Sequence, residues 1–199
     1  MNAPLYIQKR VCLNGTVFRI LQGDLLKQKV EAIVNAANPL FMGGGGVDGR
    51  IHQVAGPELA VACKAYREKH HLETIPIADA VLTHSYSIQE TAPTIKYVIH
   101  TVGPDCRVQS QRDEKEDLLA AAYVNTLTLA KEHKIKSIAF PAISTGAYSY
   151  PLWEAQQVAI QAIKEFLESH SEAFDELILV YYTEADFQNA LRVWDEIFD

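Results

Sequence analysis

The sequence predicts an α/β protein in which helices pack on both faces of a mixed, mostly parallel sheet. Short apolar runs alternate with longer segments of helical spacing as far as the last residues. The first two runs are joined by Asn14-Gly15, a dipeptide common in hairpin turns, so the sheet is expected to include an antiparallel pair. No repeat or low-complexity linker interrupts the pattern, and the 199 residues are expected to form a single domain, 1–199.

The strands are predicted at short runs that are rich in apolar and β-branched side chains. Ala32–Asn35 and Ser137–Phe140 are almost entirely apolar, which is typical of buried strands. Ile95–Thr101 is rich in β-branched residues. In chain order, the predicted strands are Tyr6–Cys12, Thr16–Leu21, Ala32–Asn35, Ala80–Tyr86, Ile95–Thr101, Ser137–Phe140 and Leu177–Tyr182.

The helices are predicted in the longer segments between these strands. Gly56-Pro57 ends the first helical segment, and Pro151 lies near the start of a later one, where a helix tolerates proline. Lys115–His133 is the longest segment, with apolar residues near helical spacing. In chain order, the predicted helices are Val47–Ala55, Glu58–His70, Lys115–His133, Trp153–Ser169 and Asp186–Ile197.

The composition excludes several classes of function. The formal net charge is -7 and no Lys/Arg run is interleaved with aromatic residues, so nucleic-acid binding is not expected. Cys12, Cys63 and Cys106 lie far apart and form no CxxC pair, so no metal is expected, and Cys63 is interpreted as a small core residue. The first residues lack a signal-peptide hydrophobic region, and no apolar run approaches the ~20 residues of a membrane helix. We therefore expect a cytoplasmic protein.

Four consecutive glycines, Gly43–Gly46, lie between a predicted buried strand and a predicted helix. Glycine allows a ligand to approach the backbone closely, and free N–H groups at a helix start attract anions. The loop therefore predicts a phosphate site, although it matches neither a Walker A motif nor a dinucleotide fingerprint. A flexible surface turn is the alternative interpretation.

Polar side chains on either side of the glycines suggest chemistry in addition to binding. Asn35 and Asn38 follow the strand and can bind sugar hydroxyls or position a water, although asparagines also cap turns. Asp48 opposes phosphate binding by its charge but can contact a ribose or polarise a water; otherwise it complements the helix dipole. His52 shares that helix face and is interpreted as structural.

A second loop, Phe140–Pro151, also connects a strand to a helix. Its serine and threonine hydroxyls and its backbone N–H groups can bind a second phosphate. Tyr148 and Tyr150 can pack on a ribose or a base. A polar connection with core aromatics is the alternative. Asp24, at the end of an early strand, can accept a hydrogen bond from an adenine amine or can cap a helix. Two such loops at one sheet edge would form a cleft around a diphosphate.

The segments QGDLL, VEAIVNAAN, GGGGVDGRIHQVAGPEL, VIHTVGP and FPAISTGAYSYP together resemble the macrodomain family. The resemblance is greatest to its MacroD-like branch, whose members hydrolyse ADP-ribose from proteins and deacetylate O-acetyl-ADP-ribose. It extends from about Gly23 to the last helix. It implies a three-layer α/β/α sandwich around a six-stranded mixed sheet.

The resemblance also implies individual roles. Asp24 would bind the adenine amine and Leu25 would line the same pocket. Asn38 would contact the distal ribose, and Asp48 corresponds to the family's catalytic aspartate. The residues that would wrap the phosphates are Gly45, Gly46 and Val47 in the first loop, and Ser144, Thr145, Gly146, Ala147 and Tyr148 in the second, with Tyr148 near the distal ribose.

The sequence departs from the branch at three places. Ile75-Pro76-Ile77-Ala78 replaces a common Cys-x-Thr-Gly segment, and Ser85-Tyr86 replaces a glycine-tyrosine pair. These two changes bear on the subgroup more than on the ligand. Ser149 stands where glycine is frequent, which affects the expected fit around the distal ribose.

The resemblance implies a hydrolase that needs no cofactor and acts on ADP-ribosylated protein or O-acetyl-ADP-ribose. Asn38 and Asp48 would orient a water and the ribose, and either Asp48 or a substrate phosphate oxygen would take the proton. Two alternatives use the same pocket. One is a module that binds ADP-ribose without turnover, and the other is a phosphatase acting on ADP-ribose 1''-phosphate.

Overall fold

A computed structural model of the protein describes residues 8–199. Seven strands form one sheet, and their bounds are β1 (Gln8–Leu13), β2 (Thr16–Gln22), β3 (Ala32–Ala36), β4 (Ala80–His84), β5 (Tyr97–Thr101), β6 (Ser137–Phe140) and β7 (Glu176–Tyr181). The helices are α1 (Gly46–Ala55), α2 (Pro57–Lys69), α3 (Ile88–Thr91), α4 (Gln109–Asp113), α5 (Lys115–Glu132), α6 (Leu152–Ser169) and α7 (Glu184–Phe198), with a 3-10 turn at Leu25–Lys27.

The sheet is mixed, with the strand order β1-β2-β7-β6-β3-β5-β4. The pairs from β2 to β5 are parallel, whereas β1 and β4 pair antiparallel with β2 and β5 at the two edges. The prediction of a mixed, mostly parallel sheet is therefore confirmed. The seven strands predicted from the residues all belong to this sheet, whereas the six strands implied by the family resemblance are one fewer than residues 8–199 contain.

Most predicted elements are present, with ends that differ by at most two residues. The predicted strand Tyr6–Cys12 starts outside the described residues, which begin at Gln8. Three short elements, α3, α4 and the 3-10 turn at Leu25–Lys27, were not predicted from the sequence. Each has three to five residues, too few for a helical period to be visible in the sequence.

Each face of the sheet buries its own apolar cluster, which gives the three layers. Along β3, Ala32 and Val34 face one cluster and Ile33 faces the other, because successive strand residues point to opposite faces. The first cluster packs under α5, α6 and α7, and the second packs under α1 and α2. The expected α/β/α sandwich is confirmed.

The parallel strands bring distant parts of the chain to one edge of the sheet. β6 lies between β3 and β7, so the loops that follow these strands are neighbours. The chain leaving β2 joins the same edge, where the Gly23 N–H donates to the Tyr181 carbonyl at 3.0 Å. Within residues 8–199, no helix combines the length and the apolar character needed to cross a membrane.

Phe18 on β2 anchors the closing helix to the sheet. Its ring lies 5.0 Å from that of Trp194 and 6.3 Å from that of Phe198, both on α7, and Phe18 is fully buried. Phe18→Ala is expected to lower the free energy of unfolding by about 3–5 kcal/mol, since it leaves a cavity. Urea unfolding measures this loss. Val61→Ala, at a position 67% exposed, is the control and should change it by less than about 0.5 kcal/mol. Equal losses in both variants would contradict the assignment of Phe18 to the core.

Candidate active site

A cleft of about 800 Å³ opens at this edge of the sheet. Its walls are the glycine loop between β3 and α1 (the first loop), the loop between β6 and α6 (the second loop) and the residues that follow β2. The twelve residues to which the family resemblance assigns roles all line this cleft: Asp24, Leu25, Asn38, Gly45, Gly46, Val47, Asp48, Ser144, Thr145, Gly146, Ala147 and Tyr148. The structure thus brings three separate stretches of sequence to one place.

The first loop presents bare backbone to the cleft. A Cβ atom placed on Gly45 or Gly46 would meet nothing within 4 Å, so both glycines face open space. Gly46 has φ 60°, a conformation that side chains disfavour, and it begins α1. The first N–H groups of a helix have no intrahelical partners, and at the start of α1 no side-chain cap accepts from them. This is the geometry of an anion site.

The loop is held in place by close packing against α1. A Cβ on Gly49 would lie 2.2 Å from the Gly44 carbonyl oxygen, closer than real contacts permit. The Asn38 side chain supports the loop from the other side, because its Nδ2 donates to the Gly43 carbonyl at 2.9 Å. The loop is therefore packed against α1 and hydrogen-bonded to Asn38, which favours the interpretation as a phosphate site over that as a flexible turn.

Asp48 lies at the inner end of the cleft with only 4% of its surface exposed. Its Oδ2 accepts from Asn38 Nδ2 at 3.1 Å, and its Oδ1 accepts from Asn35 Nδ2 at 2.8 Å. Amide N–H groups can only donate, so the two asparagines fix the carboxylate as an acceptor. Asn38 reaches the cleft, whereas Asn35 is fully buried beneath Asp48 and does not line it.

His52 lies one helical turn after Asp48, and its Nε2 is 3.5 Å from Asp48 Oδ1. Burial lowers the pKa of His52, and the Asp48 charge opposes that shift. The ring is absent from the cleft walls and packs under the loop, where a Cβ on Gly43 would be 3.2 Å from it. This position agrees with the interpretation of His52 as structural.

The second loop leaves β6 and forms the opposite wall. Its end is closed by two backbone bonds, from the Ser149 N–H to the Gly146 carbonyl and from the Tyr150 N–H to the Ser144 carbonyl. In the part of the chain that is described, no acceptor pairs with the N–H groups of Thr145 or Gly146. Backbone donors are therefore available on this wall as well as on the first loop.

The two tyrosines of the second loop have different positions. Tyr148 lines the cleft, with the Arg107 guanidinium 5.7 Å from its ring centre. Tyr150, in contrast, is 2% exposed and belongs to the core cluster. Tyr150 is therefore a core aromatic, the alternative that the sequence left open, and it is not among the residues that line the cleft.

Asp24 has the capping role that the sequence left open. Its Oδ1 accepts from the Leu26 N–H at 3.0 Å and begins the 3-10 turn at Leu25–Lys27. The same residue lines the cleft, next to Leu25. Capping engages one carboxylate oxygen, so contact with a ligand amine stays a prediction that the cap does not exclude.

Several cleft residues were not predicted from the sequence. Tyr182 is 80% exposed at the end of β7, with Asp186 nearby at the start of α7. Predicting them would have required the position of β7 next to β6, since strand order decides which strand ends share the cleft.

Arg50 also lines the cleft and is its one cation among residues 8–199, against three aspartates, Asp24, Asp48 and Asp186. The side chains thus give the cleft a net negative charge.

Three possible metal ligands meet below the cleft, although none was expected. His52, Cys63 and His100 place one ligand atom each within 4.8 Å of one another. Both ring nitrogens of His100 already face protein groups, Asn35 Nδ2 at 3.1 Å and Thr83 Oγ1 at 3.0 Å. Burial also raises the pKa of the Cys63 thiol to about 12, which disfavours the thiolate that binds metals. The group is better described as a packed polar contact.

Gly49→Ala tests the packing of the first loop. Alanine is favoured over glycine in a helix by about 1 kcal/mol, but the clash with the Gly44 carbonyl reverses the sign. The expected loss is about 1–3 kcal/mol in the free energy of unfolding. Chemical denaturation measures it, and Gly146→Ala, where a Cβ meets nothing within 4 Å, is the control. A Gly49→Ala protein as stable as the wild type would contradict the close contact.

His100 predicts how stability depends on pH. Burial and the nearby His52 lower the pKa of His100 from 6.5 to about 3. Between these values the unfolded chain binds more protons than the folded one, so the free energy of unfolding falls as pH drops from about 6.5 towards 3. His100→Asn removes this titration and should flatten the dependence in urea unfolding series, whereas the exposed His84→Asn should leave it unchanged. An unaltered slope in His100→Asn would contradict the prediction.

The family model described as "Macro domain" matches residues 34–159, which include both loops. An O-acetyl-ADP-ribose deacetylase of Escherichia coli (strain K12) is 43% identical over 156 residues, which cover 78% of this chain and 83% of the relative. The ADP-ribose glycohydrolase MACROD2 of Xenopus laevis is 44% identical over 177 residues, 89% of this chain but 40% of the relative.

A solved structure has the same fold. The Oceanobacillus iheyensis macrodomain with ADP superposes with a TM-score of 0.87 at 36% identity, and the match covers 96% of each chain. The family model spans most of the chain and the E. coli relative is matched over most of its length. On these grounds, the chain belongs to the macrodomain family.

Proposed function

We propose that this protein is a hydrolase that removes ADP-ribose from modified acidic side chains, deacetylates O-acetyl-ADP-ribose, or does both. The observation that carries the proposal is the buried carboxylate of Asp48 at the inner end of the cleft, held next to Asn38 at 3.1 Å. The relatives named for these two reactions lend support. A module that only binds ADP-ribose gains nothing from a carboxylate near phosphates, because the charges repel.

The diphosphate is bound by backbone N–H groups. The aspartates lining the cleft oppose an anion, so affinity has to come from the start of α1 and from the second loop. Bare glycines on both walls, Gly45, Gly46 and Gly146, let the phosphates approach these donors. Asp24 and Leu25 hold the adenine at one end, and Tyr148 packs near the distal ribose at the other.

The reaction takes place above Asp48 and Asn38. Asn38 uses its amide to hold Asp48 and the loop, and the pair orients a water towards the ester of the distal ribose. The water oxygen attacks the carbonyl carbon of the ester while Asp48 accepts a water proton. The bond from that carbon to the ribose oxygen then breaks, and the proton passes from Asp48 to the ribose oxygen, which gives an acid and a free hydroxyl. A phosphate oxygen of the substrate is the alternative acceptor, and it predicts a much smaller effect of losing the Asp48 carboxylate.

Asp48→Asn tests this role with little change in shape. We expect kcat for release of ADP-ribose from a mono-ADP-ribosylated acceptor to fall by about 10²–10⁴-fold, the usual contribution of an acid–base group. The Kd for ADP-ribose, measured by calorimetry, should stay similar or fall, since a charge near the phosphates is removed. Asp117→Asn, on the exposed face of α5, is the matched control.

The outcomes separate the alternatives. Undiminished turnover in Asp48→Asn would reject Asp48 as the base. Tight ADP-ribose binding by the wild type without release from protein or from O-acetyl-ADP-ribose would identify a binding module. Release of inorganic phosphate from ADP-ribose 1''-phosphate, without the other two reactions, would identify the phosphatase.

A further inference from the structure

A chain of polar side chains runs from Asp48 into the core. Asn35 on β3 donates to Asp48 Oδ1 at 2.8 Å, and the same amide nitrogen lies 3.1 Å from His100 Nδ1 on β5. His100 Nε2 lies 3.0 Å from Thr83 Oγ1 on β4. Asn35 and His100 are register partners in the sheet, so three adjacent strands each supply one member.

Counting donors fixes the state of each group. The Asn35 amide nitrogen carries two hydrogens, one for the Asp48 carboxylate and one for His100 Nδ1, so Nδ1 has to accept. The His100 proton is then on Nε2, where it faces Thr83 Oγ1. The Thr83 hydroxyl donates in turn to the Val98 carbonyl at 3.4 Å. If Asn35 were turned over, its oxygen would face the Asp48 carboxylate and repel it.

Two further polar groups lie against this row of side chains: His52 Nε2 is 3.5 Å from Asp48 Oδ1, and Cys63 Sγ is 3.8 Å from His100 Nε2. Asn35 and His100 are fully buried, and the ring of Phe41 lies 5.3 Å from that of His100. Asp48 is the one buried carboxylate in the described part of the chain, and the polar chain ends on it. Polar groups in an apolar core are costly unless all are paired, so this row needs a reason beyond packing.

We propose that His100, with Thr83, is a positioning residue for the hydrolysis. By accepting through Nδ1, His100 holds Asn35 with its amide towards Asp48, and Asn35 holds the carboxylate in its working orientation. Thr83 selects the Nε2–H form of His100 that makes this possible. The proposal rests on the proposed function of Asp48, and it predicts an effect on kcat larger than the effect on ADP-ribose affinity, because the phosphates bind elsewhere.

Two replacements of His100 separate the roles of its nitrogens. His100→Asn keeps an acceptor at the Nδ1 position, whereas His100→Gln keeps a donor near the Nε2 position and loses that acceptor. Both put a smaller amide into the same buried space, so both lose stability. We expect kcat for ADP-ribose release to fall at least tenfold in His100→Gln and only a few-fold in His100→Asn, with the Kd for ADP-ribose within threefold of wild type in each. His84→Asn is the surface control.

Thr83 gives a second, gentler test. Thr83→Val keeps the shape but removes the acceptor for Nε2–H, and Thr83→Ser retains it. We expect kcat to fall several-fold in Thr83→Val and to recover in Thr83→Ser. Nitrogen-15 NMR of the His100 ring should show the Nε2–H form in the wild type and in Thr83→Ser, with a mixture of tautomers in Thr83→Val.

Each result decides the proposal. Equal losses of kcat in His100→Asn and His100→Gln, or an Nδ1–H form of His100 in the wild type, would overturn it. The NMR result does not require turnover, so it tests the hydrogen-bond chain separately. A wild-type protein that shows this tautomer but no hydrolysis would reject the proposed function. The hydrogen-bonded row from Asp48 to Thr83 would then have a structural role alone.

Discussion

The Asp48 carboxylate is the group on which the arrangement of this site depends. It is buried, charged and placed at the inner end of a cleft, and such a group is tolerated only when its oxygens are hydrogen-bonded. Asn35 and Asn38, three residues apart at the end of β3, supply those bonds. Asn38 also holds the Gly43 carbonyl, so one side chain links the carboxylate to the phosphate loop. The orientation of Asp48 and the shape of the loop are thereby fixed together.

A second constraint comes from charge. The protein has a formal net charge of -7, and the side chains lining the cleft include three aspartates and a single arginine among residues 8–199. A diphosphate is therefore not drawn in by the overall field of the protein. Backbone N–H groups of two loops have to bind it, and this explains the glycines: Gly45, Gly46 and Gly146 leave those donors uncovered. Because backbone groups bind the diphosphate, Asp48 is not needed for binding and can take part in the reaction.

The groups that lie below the site support it. Gly49 lets the first loop lie directly on α1, and three strands align Asn35, His100 and Thr83 beneath Asp48. Catalytic geometry held by groups that do not touch the substrate is a common way to keep reacting atoms in place. The cost is a row of polar side chains in the core, whose stability depends on His100 remaining neutral.

The sequence by itself determined the α/β class, the order of the long elements and the two loops, because hydrophobic period, glycine runs and turn residues are local signals. The twelve residues to which the family resemblance assigns roles all line the cleft, since the loops follow strands whose carboxyl ends meet at one edge. Only the tertiary structure decided the order of the strands in the sheet, the burial of Tyr150 and the entry of Tyr182, Asp186 and Arg50 into the cleft. Such features are set by contacts between distant parts of the chain and by the direction of each loop. The spacing of residues along the sequence does not reveal either. The contact between Asn35, His100 and Thr83 is the clearest example: its members are 65 and 17 residues apart, and only the pairing of β3, β5 and β4 brings them together.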